Sequence, residues 1–219
     1  MNRVYACARA FVAVLLRLFF RVEAKNPGHV PLGGPVLLVA NHSSLLDPPL
    51  IGVVAPRQLS FLAKAELFQI PVFGPLLRRL NTRPVRREGS DPGALRTALR
   101  VLEEDGALLI FPEGTRGPEG TLRPAKAGAG MLAVRTGTPV VPVYVSGSGR
   151  AWPKGQRLFR PGKVTVTFGA PLRFGERAGD RRAQYETASR EMMAAIARLR
   201  DSAAAVGARR QPRAHAQIQ

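Results

Sequence analysis

Residues 35–49 read Pro-Val-Leu-Leu-Val-Ala-Asn-His-Ser-Ser-Leu-Leu-Asp-Pro-Pro. Residues 35–40 form a short, wholly apolar run, which is typical of a strand buried on both faces of a sheet. The polar residues 41–44 predict a turn. Asp47 and the two prolines after it predict the start of a helix, because proline is tolerated in a first helical turn. A buried strand that leads through a turn into a helix is the repeating unit of an α/β fold.

The same alternation continues along the chain. Apolar runs predict further strands at residues 59–63, 82–85, 107–111, 140–145 and 164–168. Helical periodicity and end signals predict helices at residues 73–80, 91–104, 126–136 and 181–200. We therefore expect an α/β domain with a mixed, mainly parallel sheet flanked by helices. It should occupy residues 25–206, between an N-terminal membrane-associating helix at 1–24 and a disordered basic tail at 207–219.

The N-terminal segment is strongly apolar between Tyr5 and Phe20, but Arg9 and Arg17 interrupt it. A spanning helix needs about 20 apolar residues with few charges. A secretory signal would carry its charge in front of the apolar core and a small-residue cleavage site behind it. Here Phe19-Phe-Arg-Val-Glu23 follows the core, which is a poor cleavage context. The pattern favours an amphipathic helix that lies in a membrane interface with its arginines at the headgroups. A core helix and a true span are the alternatives that the sequence leaves open.

Charge and cysteine content limit the possible partners. The chain has 33 Lys and Arg against 15 Asp and Glu, a formal net charge of +18, which favours an anionic partner. Basic stretches are not interleaved with aromatics and no zinc-finger spacing occurs, so an anionic membrane surface is favoured over nucleic acid. The single cysteine, Cys7, excludes an intrachain disulfide and a Cys-based zinc site. We expect Cys7 to be a small buried residue.

His42 and Asp47 are the first candidate for chemistry. A histidine has an unperturbed pKa near 6.5, and a nearby carboxylate fixes its tautomer and stabilises the imidazolium. The spacing of five residues suits a histidine in a turn and an aspartate at the start of the next helix, where α/β folds bind ligands. From these residues alone, Asp47 also fits a helix cap and His42 a simple loop residue.

A second candidate is the segment Phe111-Pro-Glu-Gly-Thr-Arg116, which follows the most apolar predicted strand. Glycine lets a backbone approach a ligand closely. Thr115 and backbone amides can donate to phosphate oxygens, and Arg116 can bind a phosphate in bidentate fashion. The segment is therefore a candidate phosphate-binding loop, although a plain strand-to-loop turn also fits it.

Taken together, these blocks resemble the 1-acylglycerol-3-phosphate acyltransferases, a family of phospholipid biosynthesis. The resemblance covers roughly residues 25–175. It rests on an Asn-His-x4-Asp block at 41–47, Val-x-Arg at 85–87, Phe-Pro-Glu-Gly-Thr-Arg at 111–116, Lys-x-Gly at 126–128 and Val-Pro-Val at 141–143. Ordered blocks with suitable gaps are far more specific than any one of them.

The resemblance implies the roles of the site residues. His42 would be the general base that deprotonates a lysophospholipid hydroxyl, and Asp47 would orient it. The hydroxyl would attack the acyl thioester directly, with acyl-CoA or acyl-carrier protein as co-substrate and with no metal or other cofactor. The implied substrate-binding residues are Asn41, Arg87, Glu113, Gly114, Thr115, Arg116 and Lys126. A carboxylate repels phosphate unless it is paired, so we expect Glu113 to pair with an arginine or to bind a glycerol hydroxyl.

The resemblance also implies an activity and a location. The expected product is phosphatidic acid, made at the cytoplasmic face of the cell membrane by a peripheral or monotopic enzyme. Arg86 and Gly117 depart from the residues common in the family, which leaves another lysolipid or a glycolipid open as the acceptor. A non-catalytic protein that binds anionic membranes or nucleic acid is the alternative from a different class.

Overall fold

A seven-stranded sheet with helices on both faces forms the protein, in a computed structural model that describes residues 3–85, 92–176 and 178–209. The strands are β1 (Phe20–Lys25), β2 (Val36–Ala40), β3 (Ser60–Lys64), β4 (Thr82–Val85), β5 (Ala107–Ile110), β6 (Val140–Ser146) and β7 (Gly162–Phe168). The helices are α1 (Arg3–Phe19), α2 (Asp47–Val54), α3 (Phe73–Arg79), α4 (Pro92–Glu103), α5 (Ala127–Thr136), α6 (Ser148–Ala151) and α7 (Arg181–Arg209). Short 3-10 helices cover Pro27–His29 and Ala65–Gln69. The predicted α/β class is confirmed.

The strand order across the sheet is β1-β7-β6-β2-β5-β3-β4. Every neighbouring pair is parallel except β6 and β7, which are antiparallel. The carboxyl ends of β2 to β6 therefore meet at one edge of the sheet, which we call the carboxyl edge. In open α/β sheets this is the edge at which ligands bind.

The core consists of one apolar layer on each face of the sheet. In β2 the side chains alternate between the layers: Val36, Leu38 and Ala40 face the layer under α1 and α2, and Leu37 and Val39 face the layer under α4, α5 and α7. Because both faces are covered, the strand carries no polar residue, as its sequence predicted.

Both ends of the chain differ from the sequence-based boundaries. The N-terminal helix ends at Phe19, and Phe20–Lys25 forms the edge strand β1, which pairs with β7. This strand was missed because its first residue continues the apolar run of the helix. At the other end α7 continues past residue 200 to Arg209, so residues 207–209 of the predicted tail are helical. The remaining tail, 210–219, lies outside the described residues.

Helices α5 and α7 pack with almost no space between their backbones. A Cβ added to Gly130 would lie 1.9 Å from the carbonyl oxygen of Tyr185, and the amide of Gly130 donates to Ser189 Oγ at 3.0 Å. A Cβ on Gly128, one half-turn earlier in α5, would meet nothing within 4 Å. The close approach of α7 therefore requires glycine at position 130, whereas the space around Gly128 would admit a side chain.

We expect Gly130→Ala to lower the free energy of unfolding by about 3 kcal/mol or more, because the backbone of α7 must move. Gly128→Ala is the matched control and should leave the stability unchanged or raise it by up to about 1 kcal/mol. Urea denaturation followed by circular dichroism measures both. Equal effects of the two substitutions would contradict the close packing of α5 on α7.

Candidate active site

His42 and Asp47 form a buried, hydrogen-bonded pair at the carboxyl end of β2. His42 Nδ1 lies 2.8 Å from Asp47 Oδ2, and the two residues are 7% and 0% exposed. Asp47 is the first residue of α2, while His42 lies in the turn before it, as the sequence predicted. A carboxylate can only accept, so Nδ1 carries the proton and Nε2 is left as the basic nitrogen.

The turn between the two residues is built around the same carboxylate oxygen. Asp47 Oδ2 also accepts the backbone N–H groups of Ser43 and Ser44, each at 2.8 Å. Three donors therefore meet one oxygen in a buried pocket, which holds the carboxylate in a single orientation and stabilises its negative charge. The imidazole is positioned by an acceptor that cannot rotate away.

Phe111 supplies the second constraint on the imidazole. Its ring stacks on His42 with centroids 3.9 Å apart and planes inclined by 19°. No separate role for Phe111 was predicted from the sequence. The available signal was its position directly after β5, whose parallel pairing with β2 brings the two strand ends together.

Glu113 lies beside His42 but does not face the open site. Its Oε1 accepts the backbone N–H of His42 and its Oε2 accepts that of Arg123, both at 3.0 Å. Glu113 is 5% exposed, and burial raises the pKa of its carboxyl group, while these two N–H donors lower it. The partners of the Glu113 carboxylate are thus two backbone N–H groups, and not the arginine side chain or glycerol hydroxyl expected from the sequence. Glu113 fixes the backbone of residues 41–46, the turn between β2 and α2 that we call the catalytic turn.

Asn41 is likewise turned towards the backbone. Its amide nitrogen donates to the carbonyl oxygen of Val145 at 3.0 Å, and its amide oxygen accepts the N–H of Val145 at 2.7 Å. The side chain therefore extends the pairing of β2 with β6 beyond the end of the strand. In this geometry Asn41 is a structural residue, contrary to the substrate-binding role expected for it.

The loop after β5 carries the cationic side of the site. Gly114 has φ 71°, a conformation that favours glycine, and the Lys126 side chain occupies the space beside it, with Cε 2.7 Å from where a Cβ would lie. Thr115 and Arg116 follow it and are half-buried, and Lys126 is exposed. Gly117 N–H donates to the carbonyl oxygen of His42 at 2.8 Å, which joins this loop to the catalytic turn. Four of the predicted binding residues thus come together, and Arg87 lies outside the described residues.

Glu119 is a further contact residue that sequence analysis did not identify. It accepts the N–H groups of Gly147 and Gly149, the latter at 2.7 Å, and its Oε2 lies 3.4 Å from Ser43 Oγ. A Cβ on Gly149 would lie 2.6 Å from that oxygen. The carboxylate joins the loop after β5, the catalytic turn and the start of α6.

We expect Glu113→Gln to lower both stability and turnover. An amide has one acceptor oxygen, so one of the two backbone donors would face an NH2 group, at a cost of about 1–3 kcal/mol. Thermal unfolding and the rate of acyl transfer measure the two effects. Glu104→Gln, on an exposed residue, is the control and should change neither. Unchanged turnover by a folded Glu113→Gln protein would contradict the role of Glu113 in fixing His42.

The fold and this geometry define an α/β protein in which a buried histidine–aspartate pair lies beside a cationic loop at the carboxyl edge of the sheet. The family model described as Acyltransferase matches residues 21–146, which run from β1 to the end of β6 and include all the site residues. Because this model spans more than half of the chain and the relatives described next are 1-acyl-sn-glycerol-3-phosphate acyltransferases, the chain belongs to the 1-acylglycerol-3-phosphate acyltransferase family, as its blocks predicted.

Individual relatives support this membership. The 1-acyl-sn-glycerol-3-phosphate acyltransferase of Bacillus subtilis is 34% identical over 76% of this chain and 80% of its own length. Human 1-acyl-sn-glycerol-3-phosphate acyltransferase beta is 32% identical over 67% of this chain and 54% of its own length. The crystal structure of the 1-acyl-sn-glycerophosphate acyltransferase PlsC from Thermotoga maritima superimposes with a TM-score of 0.76 at 31% identity, covering 92% of this chain and 80% of that one.

Proposed function

We propose that this protein transfers a fatty acyl group from acyl-CoA or acyl-carrier protein to the free hydroxyl of 1-acylglycerol-3-phosphate, giving phosphatidic acid. The observation that carries the proposal is the His42–Asp47 pair, buried and hydrogen-bonded at 2.8 Å, next to the cationic loop of residues 114–116. The names of the relatives in Bacillus subtilis and humans support this choice of acceptor. The proposal requires no cofactor besides the acyl donor.

The proposed reaction is a direct transfer. Nε2 of His42 takes the proton of the acceptor hydroxyl as its oxygen attacks the thioester carbonyl carbon. Asp47 stabilises the imidazolium that forms, since its Oδ2 already accepts the Nδ1 proton. When the tetrahedral intermediate collapses, the carbon–sulfur bond breaks and the thiolate takes the proton back from His42. An ester and a free thiol result, and no enzyme side chain is acylated.

The acceptor phosphate is assigned to the loop after β5. Thr115 and Arg116 are adjacent in that loop, and Lys126 lies against Gly114. The guanidinium group can bind a phosphate in bidentate fashion, and the ammonium group adds a second positive charge. Because Gly117 is hydrogen-bonded to the backbone of His42, a phosphate held here places the glycerol near the base.

We also propose that α1 holds the enzyme on the membrane surface. Tyr5 and Leu16 are buried against the domain, but a row of apolar side chains on the other side of the helix is exposed, namely Phe11, Val14, Leu15, Leu18 and Phe19.

Cys7 lies on α1 and is exposed, contrary to the burial expected for it. Arg9 donates to the carbonyl oxygen of Val53, which fixes the helix to α2. Within the described part of the chain, no helix combines the length and apolar character needed to cross a bilayer.

We expect His42→Ala to lower kcat by about 10²–10⁴-fold, because the base is lost. Asp47→Asn should lower it by a similar or smaller factor, because an amide does not hold the productive tautomer but the imidazole remains in place. Release of free thiol from the acyl donor in the presence of 1-acylglycerol-3-phosphate measures both. His29→Ala, which removes one hydrogen bond to the carbonyl oxygen of Phe168, is the control and should keep most of the activity. Undiminished turnover by His42→Ala would overturn the mechanism.

We expect Arg116→Ala to lower kcat/KM for 1-acylglycerol-3-phosphate by about 10–100-fold, because a charge-assisted contact is lost. The same substitution should leave the low activity on 1-acylglycerol, which has no phosphate, unchanged. Arg135→Ala, on an exposed residue of α5, is the control for the loss of one positive charge. An equal effect on both acceptors would refute the phosphate assignment, and a wild-type preference for the phosphate-free acceptor would refute the proposed substrate.

A further inference from the structure

A second group of exposed apolar side chains lies away from α1, in the segment between β3 and the end of α3. We call it the α3 patch, and it consists of Leu67, Ile70, Val72, Phe73 and Leu76, which are 37%, 47%, 83%, 41% and 39% exposed. Large contiguous exposed apolar patches on a protein mark interaction sites. The proposed chemistry assigns the patch no role.

The backbone of the patch supports a role other than folding. Val72 has φ 66° and ψ −47°, a conformation that a β-branched residue adopts only at a cost in folding free energy. The chain turns sharply here, because a Cβ on Gly74 would lie 2.1 Å from the carbonyl oxygen of Phe68. Glycine, which has no Cβ, would adopt this conformation with less strain. A strained valine that is 83% exposed stabilises neither the turn nor the core.

The topology places the α3 patch on the same side of the molecule as the apolar row of α1. Helix α1 packs against α2, and their apolar side chains share one core layer. The connections β2–α2–β3 and β3–α3–β4 move across the sheet in the same direction. Right-handed crossovers therefore put α2 and α3 on the same face, with α2 between α1 and α3.

The two apolar surfaces also lie on opposite sides of the catalytic turn along the carboxyl edge. The end of α1 reaches that edge through a chain of contacts. Phe19 contacts Phe159, with ring centroids 5.0 Å apart, and Phe159 lies beside Trp152. The carbonyl oxygen of Trp152 in turn accepts a hydrogen bond from Ser44 Oγ, in the catalytic turn, at 2.9 Å. The α3 patch begins directly after β3, at the same edge. In the strand order, β2 and its catalytic turn lie between β7 on one side and β3 on the other.

The charges around the patch identify its partner as anionic. Lys64, Arg78, Arg79 and Arg83 are exposed beside the patch, against one carboxylate, Glu66. On the other side of the site, residues 150–163 contain five basic residues and no acidic one. Apolar side chains bordered by cations are the pattern of a surface that inserts between anionic lipid headgroups.

We propose that the α3 patch is a second membrane-docking surface, which inserts into an anionic lipid bilayer beside α1. Membrane contact through α1 on one side of His42 and through the α3 patch on the other fixes the orientation of the domain, so that the carboxyl edge opens at the headgroup layer. A lipid acceptor then reaches the base without leaving the bilayer. This inference rests on the proposed action on a lipid acceptor.

Val72→Asn in the full chain tests the proposal. Asparagine removes the exposed apolar side chain and its β-branch, so the thermal midpoint should change little, while binding in sedimentation with vesicles of phosphatidylcholine and phosphatidylglycerol in equal parts should weaken about tenfold. Leu76→Gln, which keeps the helix, should weaken binding similarly. Leu32→Asn is the matched control, because Leu32 is 75% exposed but precedes β2, at the opposite edge of the sheet, and its binding should equal that of the wild type.

The activity measurements separate this proposal from the proposed function. Val72→Asn should lose turnover on vesicle-embedded acceptor in proportion to binding, and keep it with short-chain donor and acceptor in free solution. Wild-type vesicle binding by Val72→Asn and Leu76→Gln, or an equal loss in Leu32→Asn, overturns the docking surface. The docking surface is also overturned if Val72→Asn binds vesicles normally and its rate of acyl transfer falls only when acyl-carrier protein is the donor. A wild type without acyl transfer refutes the proposed function, and the vesicle measurements still decide the docking surface.

Discussion

One carboxylate oxygen, Asp47 Oδ2, organises the catalytic turn. It accepts the imidazole proton of His42 and the backbone N–H groups of Ser43 and Ser44, all at 2.8 Å and all shielded from solvent. A buried charge is stable only when such donors surround it. Because two of the donors are backbone groups, the turn cannot change shape without exposing that charge, and the orientation of the base depends on the path of the chain.

The remaining contacts of His42 join this turn to the neighbouring strand. Its backbone N–H donates to Glu113, its backbone carbonyl accepts the N–H of Gly117, and its ring stacks on Phe111. All three partners follow β5, which pairs with β2 in parallel. The loop that carries Arg116 and the histidine base are thus held at a fixed separation. Such preorganisation lets a site stabilise developing charge without rearranging during the reaction.

The sequence predicted the buried strands well, because a strand covered on both faces contains only apolar residues. It missed β1, whose Phe20 continues the apolar run of α1, and the alternation after it is too short to indicate a strand. It placed His42 beside Asp47, and the structure shows that contact at 2.8 Å, but it assigned Asn41 and Glu113 to the substrate. Their actual partners, Val145 and the amide of His42, are 104 and 71 residues away in the chain. A motif shows that a polar residue is needed, and only the tertiary pairing shows whether it faces a ligand or the backbone.

The distribution of burial in the site corresponds to the parts of an amphiphilic acceptor. His42 is 7% exposed and lies against an aromatic ring, so in the proposed reaction water would compete little with its basic nitrogen for the hydroxyl proton. Lys126 and Gly114 are exposed, so a doubly charged phosphate need not be fully desolvated to bind there. Apolar surfaces lie beyond the site on both sides, at α1 and at the α3 patch. A lysophospholipid has the same three parts, namely a hydroxyl, a phosphate and an acyl chain, and an acceptor without the phosphate would leave the cationic loop unused.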